Sequence, residues 1–155
     1  MFNLTTWKEG EKQAKDYMIK SGYKIITTNY SCVGVELDII AVLSKRQNIK
    51  GLKRDFKKQF KQLKTKTEKC TLKQTFKQMK ANALPLLIFT EVKARKTDKF
   101  GLGAEAISAK KKQHIIRGAE YYQTHSKFSG YQPRFDVASV DGDVVTYIEN
   151  AFFVK

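Results

Sequence analysis

Leu86-Leu87-Ile88-Phe89-Thr90-Glu91-Val92-Lys93 is the stretch that decides the fold of this 155-residue chain. Its first four residues form a continuous apolar run, the signature of a strand buried on both faces. The run then breaks into Glu-Val-Lys while the chain is still extended. With a side-chain period of two, Glu91 and Lys93 share one face and Val92 turns to the other. A carboxylate and an ammonium at the end of a central strand are costly to bury without partners or a function. A salt-bridged pair closing the strand is the plain alternative. The rest of the chain has to decide between them.

Downstream, Ala94–Gly103 reads as a loop with two glycines and the cations Arg95, Lys96 and Lys99. Ala104–Gln123 is helical by its apolar spacing and carries Lys110, Lys111 and Lys112 in its N-terminal half. Cations there gain nothing from the helix dipole, so they face either water or a phosphate. Arg134–Val140 is a strand, Asp141-Gly142-Asp143 a tight turn, and Val144–Ile148 the last strand, with Asn150-Ala151-Phe152-Phe153 closing on the core. A strand, a long helix and a strand in this order predict a parallel βαβ crossover.

Upstream, Thr6–Lys20 is helical, with Thr6 and Glu9 spaced as a capping box and Gly22 as the stop. Its apolar stripe is Trp7, Ala14, Tyr17 and Met18. Glu11 lies early on it, where an acid also suits the helix dipole. Tyr23–Tyr30 is β-branched and aromatic, hence a strand. A turn at Ser31–Gly34 leads to a second strand, Val35–Val42. Period two puts Glu36 and Asp38 on one face of that strand and Leu37 and Ile39 on the other. Acids are disfavoured in strands, so these face water at an edge or have a task.

Between the second and third strands, Ser44–Leu84 differs in kind. It holds fourteen Lys or Arg against Asp55 and Glu68, a net charge of +12, whereas the remainder of the chain nets only +3. Leu52, Phe56, Phe60 and Leu63 recur at helical spacing, as do Leu72, Phe76 and Met79. This is an insertion of two amphipathic helices, or one broken near Thr65–Thr71. Helices this short need mutual packing, which predicts a hairpin emerging near the acids of the flanking strands.

A total charge of +15 favours polyanions, nucleic acid first and an anionic membrane surface second. No apolar segment reaches the length of a membrane span, and Met1–Lys8 has no signal-peptide pattern, so cytosolic residence is expected. Cys32 and Cys70 lack paired spacing and read as reduced thiols. The chain is one domain, 1–155, with 44–84 as an insertion within it.

Glu11, Asp38, Glu91 and Lys93 form a set. If the second and third strands pair, Asp38 and Glu91 come side by side. Converging carboxylates raise one another's pKa and call for a cation. Oxygen donors without His or Cys select a hard ion, Mg²⁺ or Mn²⁺. Such an ion binds a scissile phosphate and lowers the pKa of a water, while Lys93 orients that water or offsets developing charge. Paired carboxylates also serve glycoside hydrolysis, but the basic surroundings favour phosphodiesters.

Gly10-Glu11 with Ala14 and Tyr17, Gly22-Tyr23, Asn29, Gly34-x-Glu36-x-Asp38-Ile39-Ile40, Glu91-Val92-Lys93, Lys111, Arg134-Phe135-Asp136-Val137 and Asn150-Ala151-Phe152 together resemble the YraN family. That family is similar to the predicted-nuclease branch of the PD-(D/E)xK superfamily, related in fold to Holliday-junction resolvases. The resemblance covers the chain outside 44–84 and implies an α/β fold. Its core is restriction-endonuclease-like, αβββαβ, with a mixed sheet flanked by helices. It implies Glu11, Asp38 and Glu91 as metal ligands, Lys93 as the catalytic lysine and Lys111 facing the phosphate. Glu36, in the same motif as Asp38, joins the candidate catalytic set. Two departures stand out: Val35 replaces a glycine of the family pattern, and the basic insert is absent from it.

The expected activity is metal-dependent endonucleolytic cleavage of DNA, selective for branched or damaged structures, in repair or recombination. RNA is the other polyanion in view, and a homodimer follows by analogy with resolvases. Lys57, Lys58, Lys61 and Lys64 in the insert, Lys110 and Lys112, and Arg134 are the candidate nucleic-acid contacts. Arg134 and Asp136 share a strand face, so an ion pair competes with a DNA contact there. The insert is expected to clamp DNA, or else to dock a protein through Phe56, Phe60 and Phe76. Two rival readings are a non-catalytic nucleic-acid binder on the same fold and a peripheral membrane protein anchored by the insert.

Overall fold

The computed structural model describes residues 4–95 and 107–153. Its elements run α1 (Leu4–Lys20), β1 (Lys24–Cys32), β2 (Val35–Leu43), α2 (Lys45–Gln62), α3 (Lys66–Ala81), β3 (Leu86–Arg95), α4 (Ala109–Thr124), β4 (Gln132–Asp141) and β5 (Val144–Phe152). The strands form one sheet in the order β1-β2-β3-β4-β5, with β3 and β4 parallel and the other neighbours antiparallel. This is an α/β fold whose α1-β1-β2-β3-α4-β4 order is compatible with a restriction-endonuclease-like core.

The apolar run of β3 makes it the middle strand. Leu87 and Phe89 face a cluster with Ile115, Ala119 and Tyr122 of α4, while Leu86, Ile88 and Val92 face Ala14 and Met18 of α1. A side chain of this size contributes roughly 1.5–3 kcal/mol when fully buried, so the alternation fixes the register. Ile39 pairs with Thr90 and Leu43 with Leu86 across β2 and β3. α1 comes unusually close to β3 at Gly10, where an added Cβ would lie 2.8 Å from that of Ala94. Only glycine admits this approach, and it holds the next residue, Glu11, against the sheet.

Several boundaries differ from the sequence reading. α1 starts at Leu4, so Thr6 is inside the helix and not its cap. α4 starts at Ala109, where the Ser108 hydroxyl accepts from the Lys111 N–H. β3 continues through Ala94 and Arg95, while Lys96, Lys99 and Ala104–Ala106 lie outside the described residues. The first hairpin turns tightly at Val33 and Gly34, both with positive φ, as a right-handed strand twist requires.

β2 departs from strict alternation. Val35 and Leu37 join the α4-side cluster, but from Ile39 onward the odd residues join the α1 side and Ile40 joins the α4 side. The pattern shifts by one residue between Leu37 and Ile40. Leu37 and Ile39 therefore do not share a face, and Glu36 and Asp38 part company.

α2 and α3 form a helical hairpin between β2 and β3, closed by stacking of Phe56 on Phe76 at 4.5 Å. Capping boxes at Ser44/Gln47 and Thr65/Glu68 start the two helices, and the break falls at Leu63–Thr65. Asn48 Nδ2 donates to Leu84 O and Gln47 Nε2 to Gly22 O, tying the hairpin base to the core. The hairpin leaves the sheet at the Leu43–Leu86 end. Glu91 lies toward the other end, so the hairpin does not emerge beside the acids. Asp38 comes five residues before the insert's departure and Glu91 five after its return, and an antiparallel pair carries both away from it.

Candidate metal centre

Asp38 occupies the point where the β2–β3 ladder ends. Its Oδ2 accepts the Val92 N–H at 2.7 Å, in place of a backbone partner. The carboxylate is thereby drawn into the fork between the strands, beside Glu91. Both are buried, at 3% and 4% exposure. Burial, then the Glu91 charge, pushes the Asp38 carboxyl up to about 7, with Glu11 adding to the rise and the Val92 N–H and Lys111 opposing it. A carboxyl buried beside another acid resists its own charge, and Asp38 does so here.

Glu91 is gripped by cations from two elements. Lys93, two residues on along the same strand face, lies 3.8 Å from Oε1, and Lys111 of α4 lies 3.1 Å from Oε2. Both ammonium-bearing side chains are about one-third exposed, so each reaches from solvent to a buried acid. The plain salt-bridge reading of Glu91-Val92-Lys93 is thus part of the arrangement, with Lys111 as the shorter partner.

From α1, Glu11 Oε2 accepts the Asn29 Nδ2 at 3.1 Å, while Oε1 is buried with no hydrogen-bond partner among the described residues. Asn29 itself adopts a positive φ, which asparagine tolerates better than most residues. It belongs to the resemblance motif, but only the folded chain gives it a task, holding Glu11 toward Asp38.

Glu36 is exposed and, with the alternation shifted, stands apart from this group. Arg134 is elsewhere too. It lies on the α1 side of the sheet, bidentate on Asp136 at 2.9 and 2.6 Å, and donates to the Tyr23 hydroxyl at 2.7 Å. Asp136 also accepts from Tyr147 Oη and the Asn150 N–H, each at 2.8 Å. Burial pushes the Tyr23 and Tyr147 phenols up, and the whole network braces β4 and β5. Sequence alone showed Arg134 and Asp136 together but not the two tyrosines between them. Lys57, Lys58, Lys61, Lys64 and Lys110 are exposed and Lys112 half-exposed.

The donor set suits a hard divalent ion: oxygens only, one carboxylate with an unsatisfied buried atom and one resisting its charge. The three acids do not stand as a finished cage. Among the described residues no cluster of three His, Cys, Asp or Glu is gathered tightly enough to hold an ion. Lys111 supplies the positive charge nearest Glu91, and Glu11, Asp38 and Glu91 would have to draw together to hold an ion. Among the described residues no helix is long and apolar enough to cross a membrane.

A family model described as Uncharacterised protein family UPF0102 matches residues 10–140, a span that includes Glu11, Asp38, Glu91, Lys93 and Lys111. The chain belongs to the UPF0102 family. The YraN resemblance read from the motifs agrees with this membership. A UPF0102 protein of Caldanaerobacter subterraneus subsp. tengcongensis is 32% identical over 136 residues, covering 88% of this chain and 79% of its own. One from Clostridium acetobutylicum is 32% identical over 149 residues, with 92% and 89% covered. One from Thermodesulfovibrio yellowstonii is 30% identical over 153 residues, spanning 99% and 100%. The names of these UPF0102 relatives state the family alone.

Proposed function

We propose that this UPF0102 protein is a Mg²⁺- or Mn²⁺-dependent endonuclease that hydrolyses DNA phosphodiester bonds. Its preferred targets are branched or damaged structures, with a place in repair or recombination. The observation that carries the reading is Glu91, buried between Lys93 and Lys111 and beside Asp38, whose carboxyl is pushed up to about 7. A purely structural pair has no need of a second buried acid and a third acid with an orphaned oxygen. When bound, the ion would polarise the scissile phosphate and lower the pKa of a water. Glu11, Asp38 and Glu91 would hold it. Lys93 would orient the attacking water and Lys111 would face the phosphate, offsetting charge as it develops. Lys110 and Lys112, on the same turn of α4, would contact neighbouring phosphates.

The close Lys111–Glu91 pair favours one rival, a nucleic-acid binder in which lysines have replaced the metal as partners of the acids. Mn²⁺-dependent nicking of DNA by the wild type but not by Lys93→Ala supports the enzyme. Binding without nicking supports the rival.

A further inference from the structure

Building on the endonuclease reading, we propose that one face of α2 is a second nucleic-acid-binding surface, separate from the carboxylate site, which holds a duplex segment away from the phosphate being cut. Lys50, Lys53, Arg54, Lys57, Lys58 and Lys61 follow spacings of three, one, three, one and three, which place them in a single stripe along the helix. They line one shallow basic cleft. From first to last the stripe is about 16 Å long at 1.5 Å per residue. The helix presenting it is stiffened by its capping box and by the Phe56–Phe76 stack.

The stripe is largely unbalanced. Arg54 pairs with Asp55 at 3.5 Å and Glu149 at 3.6 Å, but the five lysines have no carboxylate within ion-pair distance among the described residues. Like charges three and four residues apart destabilise a helix, so the stripe exists at a cost to α2 itself. A polyanion reverses that cost by replacing repulsion with released counterions. A second basic row on α3, from Lys66 to Lys80, enlarges the field.

The partner's chemistry follows from the opposite face. A helix that lies on a membrane needs a free apolar side. Here Phe56 and Phe60 are half-buried, with Phe56 stacked on Phe76 and the Lys69 and Lys73 ammonium groups over the Phe60 ring. The apolar face is spent on the hairpin, and only the charged one is offered. An unselective phosphate backbone fits a bare lysine stripe.

Location separates this surface from the acids. The Leu43–Leu86 pair, where the hairpin leaves, is four residues and about 13 Å along the strands from Ile39–Thr90, beside which Asp38 and Glu91 sit. α2 stays at that end, with Gln47 bonded to Gly22 O and Arg54 reaching Glu149 of β5 on the α1 side of the sheet. The hairpin therefore adds a grip on a different stretch of backbone and does not close over the reacting phosphate.

The test is fluorescence anisotropy with a 20-base-pair DNA duplex from 50 to 200 mM salt, in metal-free buffer so that cleavage plays no part. A variant with Lys50→Gln, Lys53→Gln, Lys57→Gln, Lys58→Gln and Lys61→Gln should bind more weakly. Its slope of log affinity against log salt should be shallower by about 4.5, since each lost phosphate contact removes about 0.9. Lys110→Gln with Lys112→Gln should lower the slope by about 2, and the two reductions should add in the combined protein. An unchanged slope in the five-site variant overturns the proposal. Non-additive slopes overturn the separation of the two surfaces. Loss of binding to phosphatidylserine vesicles with DNA binding intact assigns the stripe to a membrane and overturns it as well.

Discussion

The Lys111 ammonium of α4 lies 3.1 Å from Glu91 Oε2 on the middle strand, and Glu91 is 4% exposed. A buried carboxylate that loses its nearer cation is left under-compensated. Lys111→Met should therefore destabilise the metal-free protein by about 1.5–3 kcal/mol at pH 8, a range typical of hydrogen bonds to charged groups. Urea unfolding at that pH measures it. Full stability in the variant would mean that Lys93 alone satisfies Glu91.

Mn²⁺ should stabilise the folded state by about 2.7 kcal/mol at a hundredfold excess over Kd, read as a higher melting temperature. Glu91→Ala should abolish the shift, and Lys93→Ala should keep it. A double variant, Asp38→Ala with Glu91→Ala, that still responds like the wild type would place the ion elsewhere.

Asp38 gives the protein a pH dependence of known sign. Its folded value of about 7 exceeds the ordinary carboxyl value, so the folded state holds a proton that the unfolded chain releases. Stability from this group is full below about pH 4 and falls as the pH rises through 7. Asp38→Asn removes the effect. In metal-free buffer it should be more stable than the wild type at pH 8, by up to about 4 kcal/mol, with the gain vanishing near pH 4. Parallel stability curves for the two proteins would show that the carboxyl titrates normally.

How much of this was legible can be judged residue by residue. The central strand was, because four apolar residues followed by Glu91-Val92-Lys93 fit only a buried strand with a polar end. The pairing of Asp38 with Glu91 followed from strand order, and the two insert helices from their apolar spacing. The shift in β2 was not legible. Leu37 and Ile39 are both apolar, and alternation cannot show that they face different helices. Strict alternation consequently puts Glu36 with Asp38. The task of the Val92 N–H was hidden because any residue type supplies one. The hairpin's position could have been counted from the strand lengths, since an antiparallel insertion joins the strand ends that its flanking acids leave behind.

Gly10 offers a geometric test of how Glu11 is positioned. In Gly10→Ala the new Cβ would lie 2.8 Å from that of Ala94 and push α1 off β3. A cost of about 1–3 kcal/mol is expected, as for other overpacked contacts. Ala94→Gly in the same protein should recover most of it, together with the Mn²⁺-induced thermal shift. Recovery of neither by the paired change would show that the close approach is not what holds Glu11.

The claim at the centre of this account is that the buried acids and Lys93 carry out metal-dependent hydrolysis. The most direct measurement is cleavage of a panel of branched, nicked and linear DNAs by the purified protein with Mg²⁺ or Mn²⁺. The account predicts cuts in the branched substrates that vanish with EDTA and in Glu91→Ala. Lys93→Ala should lose them while still binding the DNA. Failure to cut any member of the panel with either metal, or equal cutting by Lys93→Ala, would contradict it.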